Sequence, residues 1–407
     1  MTPLKLPVRF TLLSGFLSLP LLGTAQTDPN ALTTAVPILT ISPDSRSAAL
    51  GEAGVAISPD ANAGYHNAGK LGFINTKYSA SPSYSPWLRS VTDDMGLAYL
   101  SGAAKIGARS AISASLMYFD LGTISFRDVN NGPLGDFNPK EYAVSIAYGQ
   151  KLSEYFGVGI AARYIRSNLT GNSLGNDARP GNAAAVDLGA YYNRDLTIGA
   201  GDYNLGLGAT ISNIGNKITY TNANQADFLP TRLRLGFAFT RELDAYNKIT
   251  LTVEGAKLLT PTPYYEEGPI PTNQAEREER TKRINDRNKE RSEKGIVSAA
   301  LGSFSDAPGG FREELREINL STGVEYTYND LLMARVGYFY ESPVKGDRQY
   351  LSFGLGVRYQ VFGVDGAYLV PNSRANPLAQ TIRISLHFNF NELDQAFGDG
   401  SSDTPAN

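Results

Sequence analysis

The chain contains no cysteine, which excludes disulfides and thiolate metal or catalytic sites but does not exclude export. It has two histidines, His66 and His387, too few for a three-histidine zinc site. No HExxH, GxSxG or phosphate-loop spacing occurs. The sequence therefore argues against an enzyme, and no catalytic, cofactor-binding or metal-ligating residue is assigned. One arrangement stays open, a Ser-His-Asp set using His387 and Asp365, because the serines are too numerous to select one. Neither sign of charge dominates: 37 Lys and Arg stand against 40 Asp and Glu, a net charge of −3. That balance excludes a basic nucleic-acid surface. After the N-terminus there is no apolar run of about 18 residues, so no transmembrane helix is expected.

Glycine and tyrosine are abundant instead, 41 and 23 residues against a single tryptophan. Glycine relieves crowding on a curved sheet, and tyrosine suits a membrane–water boundary. The N-terminus has the pattern of a signal peptide: basic Lys5 and Arg9, an apolar stretch from Phe10 to Leu22, and small residues at Gly23 and Ala25. Cleavage is expected after Ala25.

From residue 72 onward, segments long enough to cross a bilayer as tilted strands alternate between apolar and polar or small residues. Tyr142, Val144, Ile146 and Tyr148 alternate with Glu141, Ala143, Ser145 and Ala147. Ile382, Ile384, Leu386, Phe388 and Phe390 alternate with Arg383, Ser385, His387 and Asn389. Fourteen such strands are expected, at 72–85, 94–106, 110–120, 140–151, 156–168, 182–193, 203–213, 231–241, 248–258, 319–328, 331–341, 349–359, 361–370 and 380–390. The first is interrupted by Pro82. Connections after odd-numbered strands (86–93, 121–139, 169–181, 214–230, 259–318, 342–348, 371–379) are mostly long and polar. Those after even-numbered strands (107–109, 152–155, 194–202, 242–247, 329–330, 360) are mostly short. An even strand count and this asymmetry predict an all-β fold, a transmembrane antiparallel barrel of the outer-membrane type with its long loops outside. A soluble sandwich or propeller would also alternate, but its loops would not sort by parity.

The apolar face must meet lipid. The other face then lines the lumen with Glu141, Arg163, Asp187, Arg232, Arg234, Glu254, Glu325, Arg335, Arg358, Asp365, Arg383 and His387. These charges are expected to pair with each other or with a plug; a substrate path is the alternative. Residues 26–71 do not alternate and are rich in small and turn-forming residues, so they are expected to fold into the lumen as a plug, the alternative being a periplasmic arm. In the longest connection, 259–318, eight acidic and eight basic residues lie between Glu266 and Lys294. The spacing of Glu276, Arg280, Arg283 and Arg287 would support a charged helix, but no apolar stripe exists to bury it. A solvated, mobile loop is expected there, or a charged contact with a surface partner. The tail, 391–407, reads as flexible.

The run Asp60-Ala61-Asn62, then His66-Asn67-Ala68-Gly69-Lys70-Leu71, resembles the N-terminal hatch of FadL-like outer-membrane proteins, departing from it by Ala68 where proline is usual. It marks Asp60, Asn62, His66 and Asn67 as hatch residues. Ser45 to Ala56, followed by Ser58-Pro59-Asp60-Ala61-Asn62, is similar to the PorV (LptO) family of the type IX secretion system of Bacteroidetes; the PorQ family shares parts of this block. The resemblance implies an outer-membrane protein that receives cargo with a C-terminal signal domain from the translocon SprA. It would hand that cargo to the attachment complex containing the sortase PorU, at the lipopolysaccharide surface. It equally keeps two alternatives in view, a channel for hydrophobic small molecules and a lipopolysaccharide deacylase.

Overall fold

The computed structural model describes residues 30–89, 92–128, 130–169, 179–220, 226–266, 268, 271–372 and 381–391. The expected signal peptide, and the tail from residue 392, lie outside them. Sixteen strands occur among these residues: β1 (Tyr78–Pro86), β2 (Met95–Gly107), β3 (Ser110–Leu121), β4 (Ile124–Arg127), β5 (Pro133–Phe137), β6 (Lys140–Lys151), β7 (Phe156–Asn168), β8 (Gly181–Ile198), β9 (Gly201–Gly215), β10 (Arg232–Glu242), β11 (Asn247–Leu258), β12 (Ile318–Tyr328), β13 (Leu332–Tyr340), β14 (Gln349–Tyr359), β15 (Phe362–Pro371) and β16 (Ile382–Phe390). All but β4 and β5 form one closed antiparallel barrel of fourteen strands, sealed between β1 and β16.

The alternation is inside-out relative to a soluble protein. In β6, Glu141, Ala143, Ser145 and Ala147 are buried while Val144 and Ile146 are exposed. In β14, Ser352 is fully buried and Leu355 is 72 % exposed. A wall that turns most of its Leu, Ile and Val outward is stable only against lipid. Closure leaves no strand edge unpaired there.

Four departures from the sequence expectation have local causes. The wall starts at Tyr78, not at 72, because Ala68–Phe73 form a 3-10 turn inside the lumen, started by the Asn67 side chain accepting from the Gly69 N–H. Pro82 stays within β1, but the ladder to β16 skips from Ala80–Phe388 to Ser83–Ser385, as expected where an N–H is missing. The 194–202 connection shrinks to Gly199 and Ala200, since β8 and β9 continue pairing through Arg194–Leu205 and Asp195–Asn204; Gly199 takes the positive φ of 63° that the tight turn needs. The 121–139 connection holds the β4–β5 hairpin.

The 259–318 connection is built rather than loose. It contains α3 (Gln274–Glu293), α4 (Ile296–Gly302) and α5 (Phe311–Arg316). Asn273 caps α3 by accepting from the Ala275 N–H. No residue of α3 is buried; polar contacts dock it instead. Tyr264 and Asn288 exchange two hydrogen bonds of 2.6 and 3.0 Å, Arg291 donates to the Asp306 carbonyl at 2.9 Å, and Arg283 pairs with both oxygens of Glu266.

Candidate functional site

Residues 30–74 plug the lumen, with Ala48, Ala49, Leu50, Ala53, Val55, Ile57 and Ala63 at 2 % exposure or less; a polar cleft of about 910 Å³ remains between Arg46 and Asp60 of the plug and Glu325, Arg358 and His387 of the wall. Their main chain rests on lumen-facing glycines that line up across neighbouring strands. Gly149, Gly159 and Gly189 are register partners on β6, β7 and β8, and Asn67, Ala68 and Gly69 lie on them. A Cβ at any of the three would come closer than 3.0 Å to Asn67 Oδ1 or to Ala68 main-chain atoms. Gly208 and Gly236, partners on β9 and β10, take Val55 and Ala56. Gly323 and Gly337, partners on β12 and β13, take Leu50 and Gly51. The glycine excess thus serves plug seating, in addition to any relief of sheet curvature.

Ion pairs tie the same plug to the wall. Arg46 at α1 (Ser45–Ala49) donates to both oxygens of Glu325 at 2.9 and 3.1 Å, and Glu325 also accepts from Arg335 at 2.6 Å. Arg335 continues to Asp365 at 2.9 Å, which Arg358 and His387 reach at 2.6 and 2.8 Å. Glu254 accepts the Gly54 and Val55 N–H groups at 2.9 Å each and pairs with Arg234 at 2.5 Å. Glu52 of the plug meets Arg383 at 3.1 Å and the Tyr350 hydroxyl at 2.8 Å. Arg232 donates to the Thr40 carbonyl. Arg163 pairs with Asp187 at 2.8 Å, and Glu141 accepts from Ser167 at 2.7 Å. Each of these wall charges has a protein partner.

The hatch residues lie on α2 (Ala63–His66) and its flanks. Asp60 is 3.4 Å from Arg46 and caps the Asn62 N–H; Asn62 accepts from Ser101 of β2 at 2.7 Å. Asn67 donates to the Val55 and Ala190 carbonyls. His66 Nε2 lies 2.5 Å from Asp44 and 3.1 Å from the Ser47 hydroxyl. Because carboxylate and hydroxyl share one ring nitrogen, His66 cannot relay a proton from one to the other as a hydrolytic triad does. The carboxylate beside His387 is Asp365, already engaged by Arg335 and Arg358, and no serine hydrogen-bonds to His387 among the described residues.

At the long-loop end, carboxylates and cations lock the rim. Lys257 pairs with Glu314 and Glu317 at 2.9 and 2.6 Å; Lys345 pairs with Glu313 and Glu317 at 2.5 and 2.9 Å. Arg348 pairs with Glu341 at 2.8 Å. Asn30 joins this lock to the plug through Glu313 and the Val344 carbonyl. Burial alone would raise the Glu313 carboxyl, but donors from Lys345, Gly309 and Asn30 hold it below the usual range. Burial would likewise lower Arg348, and Glu341 more than offsets this. Beneath the lock lies a cavity of about 380 Å³ walled by Leu32, Ile38, Ile41, Trp87 and Phe119.

Sequence reasoning did not single out Asp44, Arg46, Glu52 or the rim carboxylates as site residues. The Glu313, Glu314, Glu317 spacing was a usable signal, since it places three carboxylates on one helical face. The glycine rows had none, because register between strands is not written in any one strand.

The architecture has known counterparts. The toluene transporter TodX of Pseudomonas putida superposes with a TM-score of 0.50 at 11 % identity, over 90 % of this chain and 100 % of that one. The Ralstonia pickettii toluene transporter TbuX gives 0.45 at 11 % identity, over 86 % and 99 %. A Pseudomonas aeruginosa FadL homologue gives 0.44 at 10 % identity, over 89 % and 100 %. At such identities the likeness is one of fold, the FadL-like outer-membrane barrel. No curated protein matches in sequence. The model of the type IX secretion system protein PorV, however, matches residues 24–265, more than half of the chain, and the chain belongs to that family.

Proposed function

We propose that this outer-membrane component of the type IX secretion system is a membrane-held carrier. It takes cargo bearing a C-terminal signal domain from the translocon SprA and passes it to the attachment complex containing the sortase PorU. Family membership over residues 24–265 carries this reading. The filled lumen supports it: with plug and wall joined by paired charges, the surfaces left for a protein cargo are the long loops and the outer wall. No bond-making step is required of the barrel. Deleting the gene is expected to leave cargo in the periplasm with its C-terminal domain uncleaved, read by immunoblotting of cell fractions. Normal surface display in the deletion strain would overturn the proposal.

A second reading, a channel for hydrophobic small molecules, is favoured by the apolar side, Leu32, Trp87 and Phe119, of the cavity under the charged rim. The same deletion separates the two, since a channel mutant secretes normally and loses uptake. A lipopolysaccharide deacylase is the weakest alternative, given the engagement of His387 and Asp365 in ion pairs.

A further inference from the structure

We propose that the end of the β11–β12 connection is a lipid contact: Val297, Leu301, Phe304, Phe311 and Leu315 lie in the outer leaflet beside the barrel, with Arg312 and Arg316 at anionic headgroups. The orientation of α5 is set by its buried side, where Glu313 and Glu314 meet Lys345 and Lys257. That leaves Phe311, 75 % exposed, and Leu315 four residues on, 52 % exposed, on the other side. In α4 the small Ala299 is buried, while Val297 and Leu301, also four apart, are 69 % and 71 % exposed. Phe304 is half exposed between the two helices. Large apolar side chains gathered this way on a water-facing loop mark a contact surface rather than ordinary exposure.

The occupant follows from where α5 meets the wall. Thr252, Glu254 and Ala256 of β11 point inward, and Leu251 and Val253 face lipid. Lys257 falls on the outward parity, yet it is only 7 % exposed because Glu314 and Glu317 cover it. The helix therefore straddles the rim, with Glu313 toward Asn30 of the plug and Glu314 toward the outward-facing Lys257, which turns Phe311 and Leu315 away from the lumen. One residue after it β12 begins, and its Leu320 is already on the lipid face at 49 % exposure. The apolar edge thus continues the lipid-facing band. Arg312 and Arg316, both exposed, run along one flank of that edge, as basic residues do in interfacial helices. The inference needs only that the barrel sits in a membrane, and so stands apart from the cargo-carrier proposal.

The absence of native cysteine makes the test clean. Full-length single-cysteine variants Leu301→Cys, Phe311→Cys and Leu315→Cys, with Lys289→Cys on α3 as the aqueous control, are labelled with an environment-sensitive fluorophore. They are reconstituted in phosphatidylcholine–phosphatidylglycerol vesicles, with folding checked by heat-modifiable gel mobility. Labels at 301, 311 and 315 are expected to emit blue-shifted light that brominated acyl chains more than halve, with the label at 289 unchanged. Labels at the three sites that behave like the one at 289 overturn the proposal. So does a blue shift that appears only when a secreted cargo protein is added, which would make the edge a protein-docking surface.

Discussion

Replacing Gly159 by valine is expected to unseat the plug and turn a quiet barrel into a conducting one. A Cβ at 159 would lie closer than 3.0 Å to Ala68 C and O and to Gly69 N. Overpacking usually costs about 1–3 kcal/mol when side chains can give way. Here the obstacles are main-chain atoms of a segment already held by Asn67, whose amide donates to the Val55 and Ala190 carbonyls. The cost should therefore reach about 3 kcal/mol or more, enough to favour a displaced plug. Planar-bilayer recording of the variant should show stepwise currents that the parent lacks. Gly366 of β15 is the control: nothing lies within 4 Å of an added Cβ, so Gly366→Ala should remain silent and stable. A Gly159→Val barrel as silent and as stable as Gly366→Ala would mean that the plug does not depend on this row.

The second large effect belongs to Glu325. It accepts from Arg46 of the plug and Arg335 of the wall while only 6 % exposed. Glu325→Ala removes the anion two buried guanidiniums share, leaving Arg46 with Asp60 at 3.4 Å and Arg335 with Asp365 at 2.9 Å, and breaking buried pairs costs about 3–5 kcal/mol. Arg46→Ala should cost less, because Glu325 keeps Arg335 at 2.6 Å. The measurement is urea unfolding in vesicles, followed by gel mobility. The ordering is the informative result: a Glu325→Ala loss below about 1 kcal/mol, or one smaller than that of Arg46→Ala, would show that the network is not what couples plug to wall.

Much of the wall was legible because a barrel between lipid and a polar plug imposes period-two alternation on every strand. The 140–151, 156–168 and 349–359 strands coincide with β6, β7 and β14. Errors fall where that pressure is absent. Residues 194–198 stay paired although Arg194 and Asp195 read as a loop, and β4 and β5 are too short and too polar to show a period. The 266–294 segment was read as loose because a helix was expected to need an apolar stripe, whereas Asn288, Arg291 and Tyr264 dock it by hydrogen bonds. At the site, parity assigned the wall charges to the inner face, where most of them are buried. Their partners Arg46 and Glu52 were not legible, nor was Asp44, which meets His66 within the plug, since a non-periodic segment shows neither which of its residues turn inward nor what they meet. Glycine was counted but read too simply, because Gly149, Gly159 and Gly189 become a row only once three strands are placed in register.

The central claim is that this barrel works with its lumen filled, from its outer surfaces. Ser45 of the plug and Ser385 of β16 have hydroxyls 3.0 Å apart, close to the reach of a disulfide with its S–S bond of about 2.05 Å. In a chain without native cysteine, Ser45→Cys with Ser385→Cys can staple the plug to the wall in the oxidising periplasm. The decisive measurement is surface display of cargo in cells whose only copy is this variant, with crosslinking checked by non-reducing gel shift. The expected result is display at the parental level with the staple closed. Display that is lost with the staple closed and restored by reductant would contradict the claim and return the function to the lumen.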